Sequence, residues 1–268
     1  MDYLTRIRAR ARGEEKGVPG YLHDKLKARE LVDSLGMQLP KLHRVYNHPR
    51  EFNFEDLPYN FVLKPTFSSS SFGVMVLQRY LDEYHDHLRH RDLTMDQIVR
   101  EQETLMEKHP HANHRWMVED RVEDVEGDEQ AVPDDYKFFT FQGEIGLIHR
   151  TIRAKPYNKH IYFNGDFEPF DQDERLITTV PTLVERDFQD PPINKNAMLR
   201  AARIISREVP SPFVRVDMYN TKRGPVFGEF TLVPGTFFYE DREKMSPELS
   251  TYLGELWGDA EGLLATKA

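Results

Sequence analysis

Apolar and polar positions alternate with a period of two along Phe213-Val214-Arg215-Val216-Asp217-Met218-Tyr219, pause between Asn220 and Gly224, and resume from Pro225 to Val233. That pattern predicts a β-hairpin. A second alternating pair runs from Tyr136 to Phe141, turns at Gln142-Gly143-Glu144 and returns from Ile145 to Ile152. Two further strands are expected at Asn60–Lys64 and from Val74, separated by Pro65-Thr66-Phe67-Ser68-Ser69-Ser70-Ser71-Phe72-Gly73. Arg115 to Val122 reads as a short strand turning from apolar to acidic.

Helical spacing appears in four places. Asp24 stands as an N-cap before a helix to Leu35, with Gly36 as its stop. The stretch from Leu81 to Lys108 is polar and helix-like, most clearly over Thr94–Lys108. Asn194 or Asn196 caps a helix over Ala197–Glu208, whose Met198, Ala201, Ala202 and Ile205 form one stripe before Pro210 and Pro212. Pro247–Leu264 forms the last, packing through Leu249, Tyr252, Leu253, Leu256 and Trp257. Residues 156–193 are rich in proline and aspartate and predict irregular structure, as do Glu123–Pro133 and the aromatic stretch Thr236–Asp241.

A chain of 268 residues can form one large domain or two lobes. Its charge of −9 argues against a nucleic-acid binder, which needs a basic surface. No apolar run reaches the roughly 20 residues of a membrane span, and no secretory h-region opens the chain, so a cytoplasmic location is expected. Zero cysteines exclude disulfides, thiolate metal sites and cysteine nucleophiles. The basic segment of Arg6, Arg8, Arg10, Arg12 and Lys16 reads as a solvated helix or loose terminus, or as an arm for peripheral contact with an anionic surface.

The candidate chemistry lies in the hairpin. Asp217 and Glu229 have the same parity if the hairpin is centred on its loop, which makes them diagonal neighbours roughly 7–8 Å apart. Two carboxylates so placed repel unless a cation or proton lies between them, and hard oxygen ligands suit Mg²⁺. Far upstream, Lys64 ends a strand before a serine-rich loop, which can fold N–H groups and hydroxyls over a phosphate. The cluster His85, His87, His90, His109, His111 and His114 lacks a zinc-site spacing and reads as solvent-facing. Strand parity puts Arg150 and Arg153 on opposite faces, with Arg150 the one expected in a cleft.

Lys64-Pro65, Ser70-Ser71-Phe72-Gly73, Arg215-x-Asp217 and Glu229-x-Thr231 before Pro234-Gly235 together resemble the ATP-grasp superfamily. Asp24-Lys25-Leu26-Lys27-Ala28-Arg29-Glu30, Asp135–Gly143 and Gly228-Glu229-Phe230-Thr231 resemble its TupA-like group, associated with teichuronopeptide synthesis. The resemblance implies an α+β fold in which two lobes with mixed or antiparallel sheets clamp ATP. It divides the chain into a reduced N-terminal segment (1–58), an N-lobe (59–118) and a C-lobe (119–268). It implies Lys64, Ser70, Ser71, Gly73, Glu119, Asp120, Val122 and Asp135 at the nucleotide, and Asp217, Glu229 and Thr231 at Mg²⁺. Arg215 and Arg150 become the catalytic candidates. Thr231 replaces the family's asparagine and Ser69 its first loop glycine.

The implied activity is an ATP-dependent carboxylate–amine ligase forming an amide through an acyl phosphate. Its expected substrates are an amino acid or peptide and a carboxylate of a surface polysaccharide or uronic acid. Alternatives are a phosphotransferase with the same apparatus and a non-catalytic nucleotide-binding protein. Intact Lys64, Arg215, Asp217 and Glu229 argue against the last.

Overall fold

The computed structural model describes residues 1–68, 71–125 and 132–267. Two six-stranded sheets organise the chain. The first contains β1 (Leu42–Tyr46), β2 (Asn60–Pro65), β3 (Met75–Tyr80), β4 (Glu83–Asp86), β5 (Arg91–Leu93) and β6 (Trp116–Asp120), in the spatial order β1-β6-β2-β3-β4-β5. Every neighbouring pair in it is antiparallel. Alternation along β2 sends Phe61 and Leu63 into a core with Trp116, Val118, Met75 and Leu77, and leaves Val62 and Lys64 on the opposite face.

The second sheet contains β7 (Asp135–Phe141), β8 (Glu144–Ile152), β9 (Asn158–Phe163), β11 (Val184–Arg186), β12 (Val214–Thr221) and β13 (Gly224–Thr231), ordered β11-β9-β8-β7-β12-β13. Only the β11–β9 pair is parallel. A separate two-stranded ladder joins β10 (Ile177–Thr179) to β14 (Glu243–Met245). The α+β class and the mixed, largely antiparallel sheets agree with the expectation from sequence.

Helices α1 (Tyr3–Ala11), α2 (Lys25–Ser34), α3 (Met95–Lys108), α4 (Lys195–Glu208), the short α5 (Gly235–Phe238) and α6 (Pro247–Lys267) complete the fold. α3 begins with a reciprocal capping box between Thr94 and Gln97. Its buried Gln102 donates to the Gly73 carbonyl and accepts from Trp116 Nε1, so both polar atoms of a core amide have a partner. α4 and α2 cover one face of the second sheet through Met198, Ala202, Ile205, Ala28 and Val32. α1 and α6 cover part of the other with Tyr3, Ile7, Leu253 and Trp257. Trp257 stacks on Phe213 with centroids 5.0 Å apart. Burial of each such side chain contributes about 1.5–3 kcal/mol.

Several expectations change. Residues 81–93 form β4 and β5 rather than a helix; Tyr84 and His85 pair with Leu93 and Asp92 across a turn. Residues 156–193 contain β9, β10 and β11, and β9 buries His160, Ile161, Tyr162 and Phe163. The stretch after Gly235 begins with a helical turn, and Tyr252 points outward from α6.

The basic N-terminus is not a free arm. α1 packs on α6, and Arg10 is buried, donating to the carbonyls of Phe213 and Leu232 and pairing with Glu15. Arg6, Arg8 and Arg12 pair with Glu261, Glu240 and Glu14. The first 58 residues also do not stand apart: α1 joins the second sheet's core while β1 pairs with β6 in the first. Among the described residues, no helix is long and apolar enough to cross a membrane.

Candidate nucleotide and metal site

A cleft opens between the two sheets, lined by residues of both. The first sheet supplies Val62 and Lys64 from β2, Val76 from β3 and Glu119 from β6; Val74 precedes β3. Val62 is the direct cross-strand partner of both Val76 and Glu119, so an apolar floor continues into a charged edge. Lys64 Nζ pairs with Glu119 Oε1, and Arg29 reaches the other oxygen at 3.2 Å. Leu88 and Val122 extend the apolar lining, and Asp120 lies beside them. His43 Nε2 lies 2.6 Å from the Asp120 carboxylate.

α2 reaches both lobes. Its N-cap, Asp24, accepts from Arg115 at 2.6 Å. Lys25 enters the cleft, and its ammonium donates to the Ser68 carbonyl at the root of the serine loop. Burial lowers the Lys25 pKa, helped by the like charge of Lys64, while Glu229 and Glu119 oppose the shift. Sequence reasoning gives Lys25 no role although it lies in the Asp24–Glu30 motif. Its one signal is a lysine immediately inside a helix N-terminus.

The serine loop is described in part. Ser70 and Ser69 lie outside the described residues. Ser71 lines the cleft, and Gly73, with φ of +75°, turns the chain back into β3 without lining it. A Cβ on Gly73 would lie 2.4 Å from Leu105 Cδ2, so both backbone conformation and space require glycine there.

The second sheet supplies Asp135, Asp217, Gly228 and Glu229. Asp217 and Glu229 are direct cross-strand partners, closer than the diagonal expected from sequence. The two-residue turn at Lys222-Arg223 would set Glu229 opposite Val216, on the wrong face. A bulge between Asp217 and Met218 absorbs Gly228 and restores Glu229 to the side of Asp217. A Cβ on Gly228 would approach the Asp217 carbonyl to 3.2 Å. The ladder continues across the sheet as Glu229, Asp217, Lys137, His149 and Tyr162, each opposite the next.

Charge is dense on this wall. Arg215 grips Asp217 through Nε–Oδ1 at 2.7 Å and Nη2–Oδ2 at 2.5 Å, and Nη2 also donates to Thr231 Oγ1 at 2.8 Å. Burial raises the Asp217 pKa to about 7; nearby Asp135 adds to this and Arg215 resists it. Burial works upward on Asp135, but Lys137, which donates to it, together with Arg215 and Arg153 outweighs burial and holds its pKa below the usual range. Thr231 does not line the cleft; its hydroxyl is engaged with Arg215.

Arg150 is not in the cleft. Its parity is that of Ile148 and Ile152, which face the α4 side of the sheet, and there it binds Asp134 at 2.6 Å and covers Tyr136. Arg153, of opposite parity, lines the cleft and lies 3.5 Å from Ser71 Oγ. The structure thus reverses the placement expected of these two arginines.

The oxygen-only donors Asp217, buried, and Glu229, half-buried, fit a hard divalent cation such as Mg²⁺, since carboxylates so close gain from a positive charge between them. Lys25, Lys64 and Arg153 around the same cavity fit phosphate.

A family model described as TupA-like ATPgrasp matches residues 5–256. Among solved structures, the fold is similar to D-alanine–D-alanine ligase from Bacillus anthracis, with TM-score 0.57 and 14% identity over 93% of this chain and 70% of that one. It is also similar to L-amino acid ligase from Bacillus licheniformis (TM-score 0.51, 14% identity, 87% of this chain and 49% of that one). A third likeness is to a RimK domain ATP-grasp protein from Sphaerobacter thermophilus (TM-score 0.50, 15% identity, 89% of this chain and 67% of that one). At these identities the likeness is one of fold. No curated protein matches the sequence.

Proposed function

The chain belongs to the TupA-like ATP-grasp family, and from that premise we propose that it is an ATP-dependent carboxylate–amine ligase. The observation that carries this reading is the convergence, in one cleft, of opposed carboxylates Asp217 and Glu229 with the cations Lys25, Lys64 and Arg153. Similarity of fold to two kinds of ligase supports the reaction class.

In this reading Val62, Val74, Val76, Leu88 and Val122 cover the adenine, with Glu119 and Asp120 at the polar edge of the base and ribose. Lys64, Lys25 and the described part of the loop at Ser71 hold the phosphates, with Gly73 setting the turn. Ser70 takes its place from the family resemblance alone. Asp217 and Glu229 hold Mg²⁺, which when bound would neutralise charge on the phosphate oxygens. Asp135 accepts from Lys137 and fixes it beside them rather than serving as a direct ligand. Arg215, which is held by Asp217 and Thr231 and does not line the cleft, takes from the family resemblance alone the role of steadying the negative oxygen that develops on the acyl carbon. Thr231 orients Arg215 and is not needed as a metal ligand.

A substrate carboxylate takes the γ-phosphoryl group, giving an acyl phosphate and ADP. An amine then attacks the acyl carbon, phosphate leaves and an amide remains. The chain's contribution is positioning and charge cancellation more than covalent participation. An amino acid or peptide as amine and a uronic acid or other surface-polymer carboxylate extend the proposal from the family resemblance.

The test is Mg²⁺-dependent ATP consumption against a panel of amino acids, peptides and uronic acids, with products identified by mass. ADP, phosphate and an amide, formed only with both partners present, is the expected result. ADP with a lasting phosphorylated acceptor would replace the ligase by a phosphotransferase. AMP and pyrophosphate would overturn the assigned phosphoryl chemistry.

A further inference from the structure

Among the described residues, one group of histidine and carboxylate side chains converges closely enough to hold a metal ion. It is His149, His160 and Glu243, with one ligating atom from each lying within 4.8 Å of the others. All three are buried. They come from β8, β9 and β14, so the cluster draws together segments that the sequence keeps far apart. The histidine rings are 4.4 Å apart between centroids, and His160 Nδ1 lies 3.0 Å from Glu243 Oε2.

The hydrogen bonding of the cluster is incomplete in one specific way. His149 Nδ1, His160 Nδ1 and Glu243 Oε1 each lack a hydrogen-bond partner. Buried polar atoms are paired in all but a few cases, so three orphans in one cluster call for a missing partner. Other atoms of the same side chains are engaged. Tyr162 donates its hydroxyl to Glu243 Oε2 at 2.5 Å, and His149 Nε2 lies 3.3 Å from Thr151 Oγ1. One unpartnered atom on each residue, with Tyr162 and Thr151 orienting Glu243 and His149 through their other atoms, is the arrangement of metal ligands and their supporting shell.

A protonated His160 paired with Glu243 is the competing explanation. It accounts for the 3.0 Å approach but leaves His149 Nδ1 and Glu243 Oε1 unsatisfied. Arg186 is one of the nearby cations, with Lys137 opposite His149. It stacks over Tyr162 at 4.3 Å and lies 4.0 Å from Asp171, which offsets its charge.

We propose that His149, His160 and Glu243 bind one divalent transition-metal ion of the zinc class, at a site separate from the Asp217–Glu229 pair. Two imidazoles and one carboxylate suit Zn²⁺ or Fe²⁺, whereas Mg²⁺ prefers oxygen alone. The ion ties β14 to the sheet at β8 and β9. His149 stands opposite Lys137, itself opposite Asp217, so the tie lies about 10 Å along the same wall from the cleft carboxylates. Its role is to fix that wall, and the inference is independent of the reaction proposed above.

The test is calorimetric titration of chelator-stripped full-length protein with Zn²⁺ alone, using wild type, H149Q, E243Q and the cleft control E229Q. Wild type and E229Q should take up one tight equivalent and gain thermal stability, and H149Q and E243Q should bind at least 100-fold more weakly. No stoichiometric uptake by wild type, or uptake retained in both cluster variants, would overturn the proposal. If the variants do not fold, crystals of Zn²⁺-loaded wild type decide between the outcomes. An anomalous peak at the zinc edge among the three side chains supports the site, and peaks only at the cleft or at surface histidines overturn it.

Discussion

The two walls of the cleft solve opposite electrostatic problems. On the first sheet, Lys64 and, reaching over from α2, Arg29 flank Glu119, and the adjoining positions are valines, so the wall is balanced before anything binds. On the second, Asp135, Asp217 and Glu229 crowd one end of the sheet against Arg215 and Lys137, and Asp217 responds with a pKa raised to about 7. The balanced wall holds a shape, whereas the crowded one is under tension that a divalent cation would relieve. Substitutions on the first should therefore cost stability together with binding, and on the second should cost activity while sparing the fold.

The largest expected effect is on the crowded wall. Glu229→Gln keeps the shape, removes a charge opposite Asp217, and should lower Mg-ATP turnover about 1000-fold, equivalent to about 4 kcal/mol. The melting temperature should hold or rise. A large fall in melting temperature would erase the contrast between the walls. Lys64→Ala is the counterpart. It removes one partner of a buried ion pair and should lower unfolding free energy by about 3 kcal/mol, moderated by Arg29, together with nucleotide affinity. Denaturant unfolding and ADP titration measure the two losses, and an unchanged stability would mean that the first wall is not balanced by this pair.

pH sharpens the comparison next. Asp217, raised from 3.8 to about 7, keeps its proton in the folded chain where the unfolded chain has lost it. Its contribution to stability is therefore complete below pH 3.8 and declines as pH rises toward 7. The same proton competes with metal. Mg²⁺ affinity should fall about tenfold per pH unit below about 7. A flat profile between about pH 5 and 7 would remove Asp217 from the metal site. The smallest effect separates two arginines. Arg153→Gln should raise the KM for ATP a few-fold, whereas Arg150→Gln should leave KM alone and cost about 1 kcal/mol of stability by stranding Asp134. The reverse pattern in steady-state kinetics would restore Arg150 to the cleft.

What is legible in the sequence is local. The β12–β13 hairpin, α2 with its Asp24 cap and the strand carrying Lys64 all follow from periodicity and caps within a few residues. The facing of Asp217 and Glu229 follows too, but not the route to it. A bulge at Gly228 decides the register, and a glycine inside a strand is its only signal. β4 and β5 stay hidden because short polar strands of three or four residues carry too little alternation to displace a helical reading. β9 is hidden by the prolines and aspartates around it, although its tertiary burial is nearly complete. Lys25, Arg153 and the His149–His160–Glu243 cluster depend on contacts between distant segments. Tyr162 and Glu243, 81 positions apart, show the scale of that separation.

The most direct measurement is calorimetric titration of ADP into wild type and Glu229→Gln, each with and without Mg²⁺. Wild type should bind ADP more tightly when Mg²⁺ is present, and Glu229→Gln should lose that gain while keeping its metal-free affinity. Equal gains in both proteins, or no gain in either, would contradict the assignment of the crowded wall as the place where the metal is held.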